Sequence, residues 1–225
     1  MSKKESTLTN MIVSLALIAV LAAAALAGVY LLTKDSIDNV QAQKKQSALD
    51  AVLPGFDGDI VAVPYVVPED KDPVTVNFAV TKDNTLFGAA VETYTNKAFG
   101  GTFTLMVGFD ADGNILGSEV IKAAETPGLG DKINKNKSNF AEQFAGMNPA
   151  GANFELKVKK DGGEVDAITA ATISSRAYCD AVNRAAKAYK MATEEELPKV
   201  APNLKMNTNN VPAETDAEEK GVDNE

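Results

Sequence analysis

GTFTLMVGFD, residues Gly101–Asp110, alternates strictly: Phe103, Leu105, Val107 and Phe109 are separated by Thr102, Thr104, Met106 and Gly108. A period of two over ten residues predicts a half-buried β-strand. Asp110-Ala111-Asp112-Gly113-Asn114 follows as a turn, and Ile115–Lys122 as the returning strand of an antiparallel hairpin. The DADGN turn is rich in carboxylates, but β segments flank it and the rest of a twelve-residue calcium loop is missing, so a structural turn is the reading.

Working outward, Asn139–Gly146 reads as a short helix with Phe140 and Phe144 on one face. Asn153–Lys159 reads as a strand with Phe154, Leu156 and Val158 inward. Ser174–Met191 is the clearest helix, since Ala177, Tyr178, Ala181, Val182, Ala185, Ala188 and Tyr189 form one apolar stripe. Upstream, Ile60–Ala79 holds β-branched segments broken by Pro64, Pro68 and Pro73, which predicts edge strands or an extended insert. Strands and helices do not alternate at Rossmann spacing, and neither a GxGxxG nor a Walker sequence occurs. Hairpins with covering helices predict a small α+β domain.

Met11–Leu32, MIVSLALIAVLAAAALAGVYLL, is a run of 22 residues without a charge. At 1.5 Å per residue a helix of that length spans roughly 33 Å, enough to cross a bilayer. Leu, Ile and Val each favour insertion by roughly 0.3–0.6 kcal/mol at the helix centre. Lys3 and Lys4 before the run predict a cytoplasmic N-terminus, while Lys34, Lys44 and Lys45 behind it pull the other way. A cleavable signal peptide is the alternative, with small residues at Ala22–Ala27. The run is longer than a typical signal core, however, and continues through Val29-Tyr30-Leu31-Leu32. Asp35–Leu53 reads as a helix leaving the membrane, with Ile37, Val40, Ala48 and Leu49 as a loose stripe and Pro54-Gly55 as its stop. The expected organisation is an anchor with a cytoplasmic stub over residues 1–33, an extracytoplasmic domain over 34–200, and a disordered acidic tail over 201–225.

The chain has no histidine and a single cysteine, Cys179. Imidazole metal sites, histidine acid–base chemistry, an internal disulfide and a self-contained iron–sulfur cluster are thereby excluded. A net charge of -9 without a basic cluster argues against nucleic acid as a partner. Cys179 lies near the apolar face of its helix and reads as a packed thiol.

Two segments carry candidate chemistry. In DAITAATISSRAY, Asp166–Tyr178, helical periodicity begins near Ser174, which puts Thr172–Ser174 at a helix N-terminus. Unpaired amides and the positive end of the helix dipole make such a place a phosphate site, although the same hydroxyl cluster also serves as an ordinary N-cap. Ser174 and Ser175 add hydroxyl donors, and Arg176 adds a charge that could equally face solvent. In AAETPGLGDK, Ala123–Lys132, Pro127-Gly128 and Leu129-Gly130 specify a defined turn directly after a strand. Gly128 and Gly130 allow the backbone close to a planar ligand, and Glu125 and Thr126 can bond a polar ring edge. A purely structural loop explains the same residues.

With these two segments the chain resembles the FMN-binding domain family found in the G subunit of Rnf-type electron-transport complexes and in the C subunit of the sodium-translocating NADH:quinone reductase. The family motif D-x-[I/L]-[S/T]-G-A-T-x-[S/T]-[S/T] is met, but for one position, by Asp166-Ala167-Ile168-Thr169-Ala170-Ala171-Thr172-Ile173-Ser174-Ser175, and ETPGLG stands intact at Glu125–Gly130. The resemblance implies FMN esterified through its phosphate to Thr172, with Thr169, Ala171, Ser174 and Ser175 around it. It places Glu125, Thr126, Gly128, Leu129 and Gly130 near the ring. It further implies an electron-transfer component rather than a free-standing enzyme, held in the cell inner membrane by one span with its main domain periplasmic. The implied partners are integral membrane and soluble subunits passing electrons between ferredoxin and NAD with ion transport, and a flavin transferase for maturation. Two departures stand out. Ala170 replaces the motif glycine, at a cost of roughly 1 kcal/mol if that position needs a positive φ. Ala123 replaces a histidine common two residues before the ETPGLG glutamate. The short chain favours the Rnf-type G subunit over the quinone reductase C subunit; a flavin-free structural or sensor domain is the remaining alternative.

Overall fold

The computed structural model describes residues 7–68, 70, 72–149 and 155–200. The expected acidic tail over 201–225 lies outside them. The chain divides into two units, Met1–Gln46 and Ser47–Glu225.

The alternating segment is β4 (Gly101–Asp110), in a five-stranded antiparallel meander of β1 (Gly58–Tyr65), β2 (Val74–Thr81), β3 (Leu86–Ala98), β4 and β5 (Ile115–Lys122). The β4–β5 hairpin turns as the sequence predicts. Asp110 closes it with its own carboxylate, Oδ1 accepting from the Asp112 and Asn114 amides at 2.9 and 2.8 Å. The proline-broken region resolves into two strands. Only β1, which contains Pro64, is an edge; β2 pairs on both sides. The central strand, β3, carries no strand signal that its sequence makes plain. Its Gly88-Ala89-Ala90 start lacks bulk because neighbouring backbone lies close: a Cβ on Gly88 would stand 2.0 Å from the Phe109 carbonyl oxygen.

One face of the sheet packs on α2 (Thr172–Glu195), whose apolar stripe from Ala177 to Tyr189 is buried as its periodicity requires. Tyr178 sits at the centre of this core. Phe103, Phe140 and Phe144 surround its ring at centroid distances of 6.2, 5.3 and 5.0 Å, and its hydroxyl pairs with Ser118 at 2.7 Å. Phe140–Phe144 is the predicted short helix, wound as a 3-10 turn.

Of the predicted strand Asn153–Lys159, the described residues from Glu155 on form no strand. Leu156 and Val158 are buried, but only Val158 pairs, in an isolated parallel bridge to Val165, and Lys159–Asp161 is a 3-10 turn; Asn153 and Phe154 lie outside the described residues. The described part of the segment runs as a loop pinned to α2. Asn183 holds it there, accepting from the Leu156 amide and donating to the Leu156 carbonyl, each at 2.9 Å.

The apolar run and the helix predicted after it are one element, α1 (Leu8–Val52), ended by Pro54-Gly55 with Gly55 at φ 76. It is long and apolar enough to cross a membrane. Ile37 and Val40 are exposed, so the loose stripe is not a packed face there. The last turn belongs to the second unit: Ala48, Val52 and Leu53 pack on Ala79, Ala90, Met106 and Ile121 on the sheet face opposite α2. Gly108 permits this approach, since a Cβ there would stand 2.0 Å from the Val52 carbonyl oxygen.

Candidate functional site

The two candidate segments meet around one carboxylate. Glu125, three residues beyond β5, is buried. Its Oε2 accepts a hydrogen bond from the Ser174 hydroxyl at 2.5 Å, and its Oε1 accepts one from the Gly100 amide at 3.0 Å. A Cβ on Gly130 would stand 2.3 Å from Glu125 Oε2 and 2.7 Å from Ser174 Oγ. Glycine at that position is what lets the loop close over the pair. Three segments remote in sequence therefore converge: the β3–β4 turn, the loop after β5 and the start of α2.

The loop after β5 is a turn built as its residues specify. Leu129 donates its amide to the Thr126 carbonyl at 3.2 Å across Pro127-Gly128, with Gly128 at φ 76, which matches a type II turn. The Asp131 amide joins the same carbonyl at 3.3 Å. Thr126 is half-buried, and Leu129 is exposed. Asp131 Oδ1 is buried and has no hydrogen-bond partner among the described residues.

α2 begins at Thr172, two residues before the predicted start. Ala171 is therefore the N-cap, and no side chain caps the helix. The Ala171 carbonyl takes the first helical bond from the Ser175 amide at 3.0 Å, which leaves the amides of Thr172, Ile173 and Ser174 without intrahelical partners. Thr172 is half-buried in the first turn, whereas Ser174 and Ser175 are buried. The hydroxyls of Ser174 and Ser175 are both committed inside the protein. Ser174 donates to Glu125; Ser175 donates to the Ala171 carbonyl at 3.0 Å and accepts from the Ile168 amide at 2.9 Å. What the first turn of α2 offers a ligand is thus backbone amides and the Thr172 hydroxyl.

Ala170 has φ 62, the left-handed region, and Thr169 and Ala170 lie in the turn that leads into the helix. The positive φ reverses the chain between Ile168 and α2. Arg176 does not stand free in solvent: its guanidinium forks onto Asp161 with two contacts of 2.7 Å. Those bonds hold the Asp161 carboxyl below the usual carboxylate range.

Gly100 drew no expectation from the sequence. A Cβ on it would stand 2.0 Å from the Ala124 carbonyl oxygen, so the turn touches the loop after β5 backbone to backbone. The signal for it was the Gly100-Gly101 pair immediately before β4.

Comparison with known proteins bears on this arrangement. The FMN-binding domain family matches residues 98–187, which include all three converging segments, and the RnfG N-terminal region family matches residues 7–52. The G subunit of an ion-translocating oxidoreductase complex of Haemophilus influenzae (strain PittEE) is 38% identical over 177 residues, covering 76% of this chain and 85% of the relative. The protein of the same description from Yersinia pestis is 39% identical over 183 residues, covering 77% and 86%, and that from Salmonella typhi 35% over 178 residues, covering 77% and 84%.

Proposed function

The chain belongs to the G-subunit family of ion-translocating oxidoreductase complexes, and on that premise we propose that it is a membrane-anchored electron-transfer component carrying FMN as a phosphoester on Thr172. The observation that carries this reading is the bare start of α2, where Thr172 is the first of three residues whose amides have no helical partners.

The residues present fit the group. A phosphoester keeps its negative charge, and an uncapped helix N-terminus stabilises such a charge by roughly 0.3–2 kcal/mol. FMN, when bound, supplies a ring that takes up and releases one or two electrons. The chain's own part is to hold and orient. Glu125 locks the three segments into one wall, Gly128 and Gly130 keep the backbone free of side chains on the loop, and Thr126 and Asp131 Oδ1 provide acceptors beside it. Thr169 and Ala171 shape the turn into the helix. In maturation by a flavin transferase, the Thr172 oxygen bonds to the FMN phosphorus of FAD as the pyrophosphate bond breaks, AMP leaves and the hydroxyl proton is released.

We read α1 as the anchor, with the N-terminus cytoplasmic, and the domain beyond residue 33 as periplasmic. Its partners are the other membrane and soluble subunits of an Rnf-type complex acting on ferredoxin and NAD. The relatives described as G subunits favour this branch over the C subunit of the sodium-translocating NADH:quinone reductase.

Intact-mass measurement on protein produced with the flavin transferase tests the assignment. An addition of about 438 Da, FMN less one water, is expected together with in-gel flavin fluorescence after denaturation. Thr172→Val should abolish both; fluorescence that survives this change rules out Thr172.

A further inference from the structure

Beyond α1, the described surface exposes five large apolar side chains: Ile60, Val66, Phe99, Leu129 and Ile173. Three of these five immediately precede the three residues that meet the Glu125 carboxylate. Phe99 precedes Gly100, whose amide bonds Oε1; Leu129 precedes Gly130, which closes over Oε2; Ile173 precedes Ser174, whose hydroxyl bonds Oε2. Ile173 also follows Thr172 directly. Isolated apolar residues on a surface need no explanation, but three set around one buried hub mark a contact surface.

Phe99 is the most exposed of the three, at 69%. Its backbone is nonetheless fixed. It occupies the tip of the β3–β4 turn, where Ala98 pairs with Gly101, and Gly100 is held by the Glu125 bond and by backbone contact at Ala124. An exposed aromatic ring on a pinned turn is a preorganised platform. The flavin ring is planar and largely apolar on its faces, and planar rings stack on aromatic side chains. Tethered at Thr172 through a flexible ribityl chain, it must come to rest on a neighbouring surface, and the apolar surface beside Thr172 is this one.

We propose that Phe99 is a flavin-binding residue, forming one face of the ring seat, with Leu129 and Ile173 as its aliphatic sides. This rests on the reading of Thr172 as the attachment site. Without it the hairpin tip has no ligand, and with it the three exposed side chains acquire one occupant already on the chain.

The test uses full-length protein loaded by the flavin transferase, comparing wild type, Phe99→Ala and Phe99→Trp. Intact mass reports loading, and iodide quenching of flavin fluorescence reports exposure of the ring. Phe99→Ala should load fully and raise iodide quenching about threefold, because one face of the ring is uncovered. Phe99→Trp should load and dim the flavin strongly, because a stacked indole quenches it by electron transfer; this variant carries the test if Phe99→Ala loads poorly. Loaded variants with wild-type fluorescence and iodide access overturn the inference while leaving Thr172 in place. Wild-type protein without the added mass overturns both.

Discussion

At φ 62, Ala170 holds a backbone angle that a residue with a Cβ adopts at a cost of about 1–2 kcal/mol. The motif glycine of the family would adopt it freely. Ala170→Gly is therefore expected to raise Tm by about 2–4 °C, less whatever the added freedom of the unfolded chain removes. Flavin loading should proceed at an equal or higher rate, read by intact mass over time. A fall in either would show that the turn is built around the methyl group. The sequence posed this question without answering it. Ala170 stands out against the motif, but whether its position needs a positive φ depends on how the chain enters α2, and the early start of that helix at Thr172 is what demands the reversal.

Among the elements, the loop after β5 and the start of α2 depend on each other through Gly130. Gly130→Ala would drive a methyl into Glu125 Oε2 and Ser174 Oγ, so the pair must separate. A loss of about 1–3 kcal/mol and slower flavin loading are expected. Gly162→Ala is the control: its positive φ also strains an alanine, but the space around its Cβ is open and it has no part in the loop, so loading should stay near wild type. Equal loading in both variants would mean that the Glu125–Ser174 contact does not shape the site. The elements the sequence revealed were those with long, clean periods: β4 by its alternation, α2 by its stripe, and α1 by its apolar run. β3 was hidden because its start carries small residues, Gly88, Ala89 and Ala90, with the backbone of Phe109 leaving no room for a side chain at Gly88. The residues from Leu156 to Val158 showed an inward pattern, yet a pattern supplies no partner strand.

At the scale of the whole molecule, the buried acids set an alkaline limit on stability. Burial pushes the Cys179 thiol up to about 12 from an ordinary 9.0, and moves the Tyr178 and Tyr189 phenols further up from theirs. A group whose pKa is raised in the folded state leaves stability at its full value below the unfolded pKa, where both states hold the proton. As pH climbs past the unfolded value the unfolded chain ionises and the folded one cannot, so stability falls until the folded value is reached. The urea midpoint of the full chain in detergent should be flat to about pH 9 and then fall, with Cys179 contributing about 1.4 kcal/mol per pH unit. Cys179→Ala should remove the earliest part of that fall. At pH 8 the thiol should resist alkylation until the protein is denatured. A midpoint independent of pH up to about 11 would contradict this account.

Hydropathy and helical or strand period are properties of neighbours in the chain, so the sequence by itself determined the membrane-length run, the main sheet hairpin, and a threonine at the head of a helix. Gly100 and Ser174 reach the Glu125 carboxylate from 25 and 49 residues away. Contacts over that separation exist only once the sheet has closed and α2 has packed on it, so the tertiary structure alone decided that Glu125 is the hub and that Phe99 stands at the same hub as the start of α2.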